Sequence, residues 1–159
     1  MTKKKFTSTM QGDIKKFACS AFFDFSKPKE FITRPDPKTE ILNMIKADNP
    51  LESVLQTLNL CELKTITDNV NRKGIAKHYK SLTVSSTSDY DLKRWFGKVS
   101  DPNQFTFINV VIDIKLNDKI EGTTKEELQK AVETYSHVCP VYVMLASGTM
   151  PVNMKYNLL

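Results

Sequence analysis

A long amphipathic helix in the middle of the sequence restricts the fold more than any other feature. Asn49 is a good N-cap, Pro50 suits the first helical position, and Glu52 falls three residues after the cap. Gly74 supplies a C-terminal stop, so the predicted helix covers residues 49–73 and is roughly 35 Å long at about 1.5 Å per residue. A helix of this length must run through the middle of a small fold or across a dimer. Its apolar stripe consists of Leu51, Val54, Leu55, Leu58, Cys61 and Thr65.

Alternating apolar residues predict strands on both sides of this helix. In residues 1–46, which read as strands and turns, apolar side chains recur at every second position around Cys19. A thiol among phenylalanines is usually a small core hydrophobe, so core packing is the predicted role of Cys19. Phe31–Thr33 and Leu82–Ser86 are predicted as short strands, and Thr106–Leu116 as a long half-buried one.

A second helical region follows within residues 104–159. Pro140 should interrupt the helix that precedes it and begin a short helix, Pro140–Ala146. The apolar alternation of Val152–Leu158 predicts a final strand. The whole order of elements favours an α+β fold without regular βαβ alternation. The capping-box pattern before the first helix of this region is Thr123 or Thr124 with Glu126 or Glu127.

Composition indicates one soluble domain over residues 1–159, with 40% hydrophobic and 26% charged residues. The sequence contains neither a signal peptide nor a membrane-spanning apolar run, so we expect a cytoplasmic protein. Most of the net charge of +5 lies in the first 50 residues, but the basic residues are scattered among acids and predict no nucleic-acid partner. The three cysteines lack CxxC spacing, which argues against a disulfide scaffold and a structural zinc site.

Two of the cysteines lie in different local settings. Cys61 falls on the apolar stripe of the long helix. Cys139 precedes Pro140 and can cap the short helix, where free N–H groups and the positive end of the dipole stabilise a thiolate. Taken alone this favours reactive chemistry only weakly, because a buried cysteine without a partner is the commoner case.

Two motifs in this sequence resemble the OsmC/Ohr family. The first is N-P-L-E-S-V-L-Q-T-L-N-L-C, which ends at Cys61 and leads to N-R-K-G-I; it is similar to the central helix of that family. The second is H-V-C-P-V around Cys139, followed by Gly148 and the alternating last strand. Both occur in the family's order and, with the segment between them, they span the chain from residue 49 onwards.

The resemblance implies an OsmC-like domain in an intertwined homodimer, with antiparallel sheets wrapped around long central helices and active sites at the interface. It implies that Cys61 is the peroxidatic thiolate, which attacks the O–O bond of an organic hydroperoxide or hydrogen peroxide and becomes a sulfenic acid. Cys139 would resolve this acid as a disulfide, and a dithiol such as a dihydrolipoyl group would restore the enzyme. No cofactor is implied.

A peroxidatic thiol must be ionised, but an isolated thiol with a pKa of about 8.5 is only a few per cent ionised at pH 7. The resemblance implies an arginine held by a glutamate, and Arg34 is the only arginine before Cys61. Arg34 is therefore the candidate thiolate stabiliser and Glu52 its candidate partner. Glu52 lies about 13 Å along the helix from Cys61 and on its opposite side, so it cannot touch the thiol, and its role as capping partner of Asn49 is at least as well supported.

Other side chains near the two cysteines have alternative readings. Glu62 could hold a cation or simply lie on another face of the helix. His137 cannot form a dyad with Cys139 from the same helix, because residues two apart point roughly 200° from one another, so we predict a surface histidine. A zinc site would lack a fourth ligand. Core packing is the favoured role, and a hydrophobic peroxide pocket the alternative role, of Leu58, Tyr142, Val143 and Met144.

The sequence is compatible with three functions. The first is the thiol-dependent peroxidase, which requires the sulfurs of Cys61 and Cys139 to meet. The second is a non-catalytic OsmC-like dimer that serves as a binding or structural module. The third is a nucleic-acid binder, which should show strongly salt-dependent binding and for which the sequence offers no stacking pattern.

Overall fold

The computed structural model of the protein describes residues 5–11, 14–26, 50–91 and 105–159. The predicted strand Phe31–Thr33 and the predicted cap Asn49 lie outside these residues. The described part has the predicted α+β character, with five strands and three α-helices. Its elements are β1 (Lys5–Gln11), β2 (Ile14–Asp24), α1 (Pro50–Arg72), a 3-10 helix (Ala76–His78), β3 (Tyr79–Asp91), β4 (Phe105–Leu116), α2 (Lys125–Ser136), α3 (Pro140–Ala146) and β5 (Val152–Leu158).

The long helix α1 begins and ends where the sequence predicts. Its C-terminus closes on Gly74, which has a φ of 70°. The N–H of Gly74 donates to the carbonyl of Asn71, and the N–H of Ile75 donates to the carbonyl of Val70, both at 3.0 Å. This pair of hydrogen bonds is the Schellman motif, which needs a residue in the left-handed region at the position of Gly74.

The buried face of α1 extends further than the predicted stripe. Leu55 and Leu58 are fully buried, as predicted, but the buried face continues through Leu63, Ile66 and Val70. Cys61 is only half-buried and therefore lies at the edge of this face. Glu62, in contrast, is fully buried within it.

The five described strands form one mixed sheet in the order β1-β2-β3-β4-β5. The first three pairings are antiparallel, but β5 runs parallel to β4. The expectation of purely antiparallel sheets is therefore wrong for the last strand. The reason is the connection: α2 and α3 carry the chain back along the sheet between β4 and β5, as a parallel crossover requires.

Long strands explain how the long helix fits. β2, β3 and β4 contain 11, 13 and 12 residues, which span about 36–43 Å at about 3.3 Å per residue. The 23 residues of α1 span about 35 Å, so the helix lies along a sheet of matching length. Within the described residues the sheet of a single chain is therefore long enough for α1, and its placement through the middle of the fold or across a dimer stays a prediction. β3 is also longer than the predicted Leu82–Ser86, because pairing with strands on both sides extends its Ser- and Thr-rich end.

One face of the sheet and the helices that cover it form the core. α1 packs on β2 and β3, and α2 and α3 pack against α1. The predicted core role of Cys19 is confirmed, because Cys19 is only 4% exposed. The Asn59 side-chain amide donates to the carbonyl oxygen and to the Sγ of Cys19, both at 3.0 Å. The buried apolar residues of the sheet include Cys19, Ala21, Phe23, Leu82, Val84, Ile108, Val110, Ile112 and Ile114. In the described ranges no helix is both long and apolar enough to cross a membrane.

Candidate active site

The fold brings Cys61 and Cys139 together, although 78 positions separate them in the sequence. Cys61 lies in the middle of α1, and Cys139 is the N-cap of α3, which packs against α1. The two side chains interact directly, and both thiols are free. Their environments differ, because Cys61 is half-buried whereas Cys139 is fully buried.

Pro140 fixes the position of Cys139. Proline disfavours the helical conformation in the preceding residue, and Cys139 is accordingly extended, with φ −60° and ψ 122°. Its N–H donates to the carbonyl of Ser136 at 3.0 Å, and its carbonyl accepts from the N–H of Val143 at 2.9 Å. The chain thus changes direction between α2 and α3 with its backbone satisfied and the thiol directed inward.

Burial opposes ionisation of Cys139. It raises the pKa of this thiol to about 12, and the negative charges of Glu62 and Cys61 add to the rise. The backbone N–H of Tyr142, in the first turn of α3, acts in the opposite direction but is outweighed. The prediction that the helix cap stabilises a thiolate at this position is therefore wrong, because the lost hydration of a buried anion exceeds what the helix terminus provides.

Glu62 is a further functional candidate, for which the sequence allows either a role in holding a cation or a place on another face of the helix. Burial raises the pKa of its carboxyl from 4.5 to about 7, while the Ser136 hydroxyl and the Cys139 thiol lower it. These two groups therefore lie beside the carboxyl, yet neither carboxyl oxygen has a hydrogen bond of standard geometry to any described residue. A signal was present in the sequence, because Glu62 lies four residues from both Leu58 and Ile66 on the buried face of α1.

A polar link extends from Glu62 toward β5. The Tyr156 hydroxyl donates to the Ser136 hydroxyl oxygen at 3.1 Å. Burial raises the pKa of Tyr156 to about 12, and the charge of Glu62 contributes to that rise. Tyr156 is therefore neutral near pH 7 and remains a hydrogen-bond donor. Four elements thus contribute to one polar cluster, in which Glu62, Ser136 and Cys139 are fully buried and Cys61 and Tyr156 are half-buried.

The remaining predicted site residues occupy the following places. Arg34 lies outside the described residues. Glu52 lies in the first turn of α1, and its side chain is not among those described. His137 is exposed, as predicted; its Nδ1 is 2.7 Å from the carbonyl oxygen of Glu133. In the described part of the chain no three His, Cys, Asp or Glu side chains are placed to hold a metal ion.

The residues considered for a peroxide pocket divide into two groups. Leu58 is part of the core, as favoured, and Tyr142 is half-buried. Core packing is wrong for Val143 and Met144, which are 50% and 65% exposed. The residues of α3 that pack against the core are Val141, Tyr142 and Leu145. The surface between α1 and the start of α3 has an open cavity of about 460 Å³, which neither thiol of the pair lines; its lining residues are Thr65, Asp68, Asn69, Arg72, Val138 and Pro140.

Comparison with solved structures identifies this architecture as an OsmC-like fold. An OsmC-like protein from Mycoplasma pneumoniae superimposes with a TM-score of 0.54 and 18% identity, over 99% of this chain and 97% of that chain. A structural-genomics structure gives a TM-score of 0.52 and 15% identity, over 99% and 98%. An organic hydroperoxide resistance protein OsmC from Legionella pneumophila gives 0.46 and 14%, over 99% and 96%.

The chain therefore has the OsmC-like fold that its two motifs predict, and the first of these superpositions carries that conclusion. No protein-family model and no curated protein sequence matches it. The chain thus has an OsmC-like fold that brings together a half-buried thiol, Cys61, and a fully buried one, Cys139.

Proposed function

We propose that this protein is a thiol-dependent peroxidase that reduces organic hydroperoxides or hydrogen peroxide. The observation that supports this most directly is the contact between the half-buried thiol of Cys61 and the fully buried thiol of Cys139. Partial exposure gives a peroxide access to Cys61, and burial protects Cys139 from direct oxidation. The OsmC-like fold is consistent with redox chemistry of this kind.

The proposed cycle has three steps. The Cys61 thiolate attacks one oxygen of the peroxide, the O–O bond breaks, and an alcohol or water leaves as Cys61 becomes a sulfenic acid. The Cys139 sulfur then attacks the Cys61 sulfur, which forms a disulfide and releases water. A dithiol, possessing two adjacent thiols as a dihydrolipoyl group does, reduces the disulfide and is itself oxidised.

The first step requires a cation that holds Cys61 as a thiolate near neutral pH. Arg34 remains the candidate for this role and Glu52 the candidate that orients it. A homodimer with active sites at the subunit interface, and a cytoplasmic location in which free thiols are maintained, complete the proposal.

The test uses one equivalent of cumene hydroperoxide on the wild type, Cys61→Ser and Cys139→Ser, followed by thiol counting and peptide mass mapping. We expect a Cys61–Cys139 disulfide in the wild type and a sulfenic acid on Cys61, trapped with dimedone, in Cys139→Ser. Cys19→Ala is the matched control, because this thiol is buried in the core and accepts a hydrogen bond from the Asn59 side chain. A Cys61 that stays reduced over minutes in excess peroxide contradicts the proposal.

One observation favours the alternative, a non-catalytic OsmC-like binding or structural module. Burial raises the pKa of Cys139 to about 12, so this sulfur is protonated and weakly nucleophilic near pH 7 unless a base assists it. The same experiment separates the two functions, because the module forms no disulfide under one equivalent of peroxide.

A further inference from the structure

Glu62 is an unusual residue to find next to a thiol pair. Its side chain is fully buried in the core side of α1, and no described residue gives either oxygen a standard hydrogen bond. Burying a carboxyl group costs free energy unless it is paired, so a structural role alone does not account for it. The groups beside its oxygens are the Ser136 hydroxyl and the Cys139 thiol.

The Cys139 thiol needs such a neighbour if it is to react. It is fully buried at the N-cap of α3 and keeps its proton near pH 7. Only the thiolate is an effective nucleophile, so the proton must leave as the sulfur attacks. A general base has to lie within reach of the group that it deprotonates, and the Glu62 carboxyl lies beside the Cys139 thiol.

We propose that Glu62 is the general base of the disulfide-forming step: its carboxylate takes the proton from the Cys139 thiol as that sulfur attacks Cys61. This inference rests on the peroxidase proposal above. The S–S bond forms while the S–O bond of the Cys61 sulfenic acid breaks, and the departing hydroxide takes the proton from Glu62 to leave as water. The carboxylate is thereby restored, and no further reactant is needed.

The polar link to β5 fits this role. The Tyr156 hydroxyl donates to the Ser136 oxygen, which leaves the proton of Ser136 available for the Glu62 carboxylate. Two hydroxyl groups in series stabilise the base without protonating it, because burial raises the pKa of Tyr156 to about 12.

The pH dependence of the step follows from the groups that face Glu62. The titratable groups that interact with Glu62 are Cys139 at the start of α3 and Tyr156 on β5, and α2 contributes the neutral Ser136. One step further away, Cys61 acts on Cys139, and Glu133 and Tyr142 act on Tyr156. Of Glu62 and Glu133, only Glu62 acts on a thiol of the pair. With a pKa of about 7 it is a base over the range in which Cys139 remains a thiol.

Disulfide formation, the second step of the cycle, can be measured without peroxide. Cys61 is converted to a mixed disulfide with thionitrobenzoate by Ellman's reagent, and the absorbance of the thionitrobenzoate released by attack of Cys139 is followed from pH 5 to 9. This attack breaks the mixed disulfide and passes the Cys139 proton to Glu62. We expect the wild-type rate to rise with pH and to level off above a pKa of about 7.

Glu62→Gln should slow this closure by about 100-fold at pH 7 and abolish the levelling, so that its rate keeps rising with the thiolate fraction through pH 9. Glu133→Gln, the same substitution on α2, should form the disulfide at nearly the wild-type rate, because Glu133 accepts a hydrogen bond from Gln129 and does not act on Cys139. Any of three results overturns the role of Glu62. The first is a Glu62→Gln variant that forms the disulfide as fast as the wild type. The others are a wild type that does not form it, or whose rate rises with pH without levelling off. The wild-type pH profile decides the matter even if Glu62→Gln does not fold.

The two proposals fail in different ways. If peroxide leaves Cys61 reduced while closure still depends on Glu62, the peroxidase is wrong and the base assignment stands. If peroxide oxidises Cys61 but the rate of disulfide formation is the same in the wild type and Glu62→Gln, only the assignment of Glu62 as the base is wrong.

Discussion

Cys139 occupies a position at which a helix terminus lowers the pKa of a thiol, yet its thiol is held in the neutral form. The N-cap of α3 offers backbone N–H groups, but the complete burial of the side chain removes the hydration that an anion needs. In the proposed cycle the sulfur that meets the peroxide is instead that of Cys61, at the edge of the buried face of α1. The proposed roles of the two thiols thus rest on their different exposure.

Glu62 should make the stability of the protein depend on pH. The folded-state pKa of about 7 exceeds the ordinary value of 4.5, so the folded state holds the proton more tightly than the unfolded state does. The resulting stability is fully present below pH 4.5 and is lost as the pH rises through 7. We expect the free energy of unfolding of the wild type, measured with urea, to fall by on the order of 3 kcal/mol more than that of Glu62→Gln between pH 4.5 and 8.

Glu127→Gln provides the control for this measurement, because the carboxyl of Glu127 is at the surface in the capping box of α2 and its pKa is lowered by the Thr124 backbone N–H. The contribution of the Glu127 carboxyl to the free energy of unfolding depends on pH in the opposite sense, because the stability that comes from a lowered carboxyl pKa is lost as the pH falls. Equal slopes for the wild type and Glu62→Gln would show that Glu62 ionises as freely in the folded state as in the unfolded chain.

At the scale of elements, the two ends of α1 and the break before α3 carry most of the local information. Pro50 opens the helix, the Schellman motif around Gly74 closes it, and Pro140 separates α2 from α3. Each signal acts through backbone geometry and does not depend on the rest of the fold. These boundaries fix where Cys61 and Cys139 lie within their elements.

Gly74→Ala should destabilise the protein by about 1 kcal/mol, because an alanine is strained at a φ of 70°. The added Cβ itself meets no atom within 4 Å, so the cost is conformational. Gly148→Ala is the matched control: its φ is ordinary and its new Cβ lies 3.5 Å from the Leu145 carbonyl oxygen, an ordinary contact. Urea unfolding of both variants measures the difference, and equal stabilities would contradict the Schellman account.

At the scale of the whole molecule, the crossover through α2 and α3 creates the site. It places β5 parallel to β4 and brings Ser136, Cys139 and Tyr156 to the middle of α1. A purely antiparallel arrangement would have no such crossover. The chemistry proposed for this protein therefore depends on the one strand whose direction the sequence reading missed.

The proposed homodimer makes a prediction about mass. Sedimentation equilibrium should give about twice the chain mass of 18.1 kDa at micromolar concentration, because active sites at a subunit interface require both copies. The Cys139→Ser variant should give the same mass, since its thiol is buried within the chain. A mass of one chain at every concentration contradicts the dimer and leaves the thiol pair, which lies within one chain, unaffected.

The sequence by itself determined those features that depend on local geometry. Helix α1 with its stop, the cap of α2, the start of α3 at Pro140 and the alternation of β4 all follow from short-range patterns. The core role of Cys19 was also visible. The resemblance of two motifs to the OsmC/Ohr family singled out Cys61 and Cys139, which the fold brings together.

Only the tertiary structure decided the features that depend on which elements pack together. The direction of β5 is set by the path of α2 and α3, which no local pattern records. The burial of Glu62 arises because α2 and α3 pack against α1 and bring Ser136 and Cys139 beside its carboxyl, and the high pKa of Cys139 arises from the same contact. Desolvation is a property of the assembled core, so neither pKa could be read from the sequence.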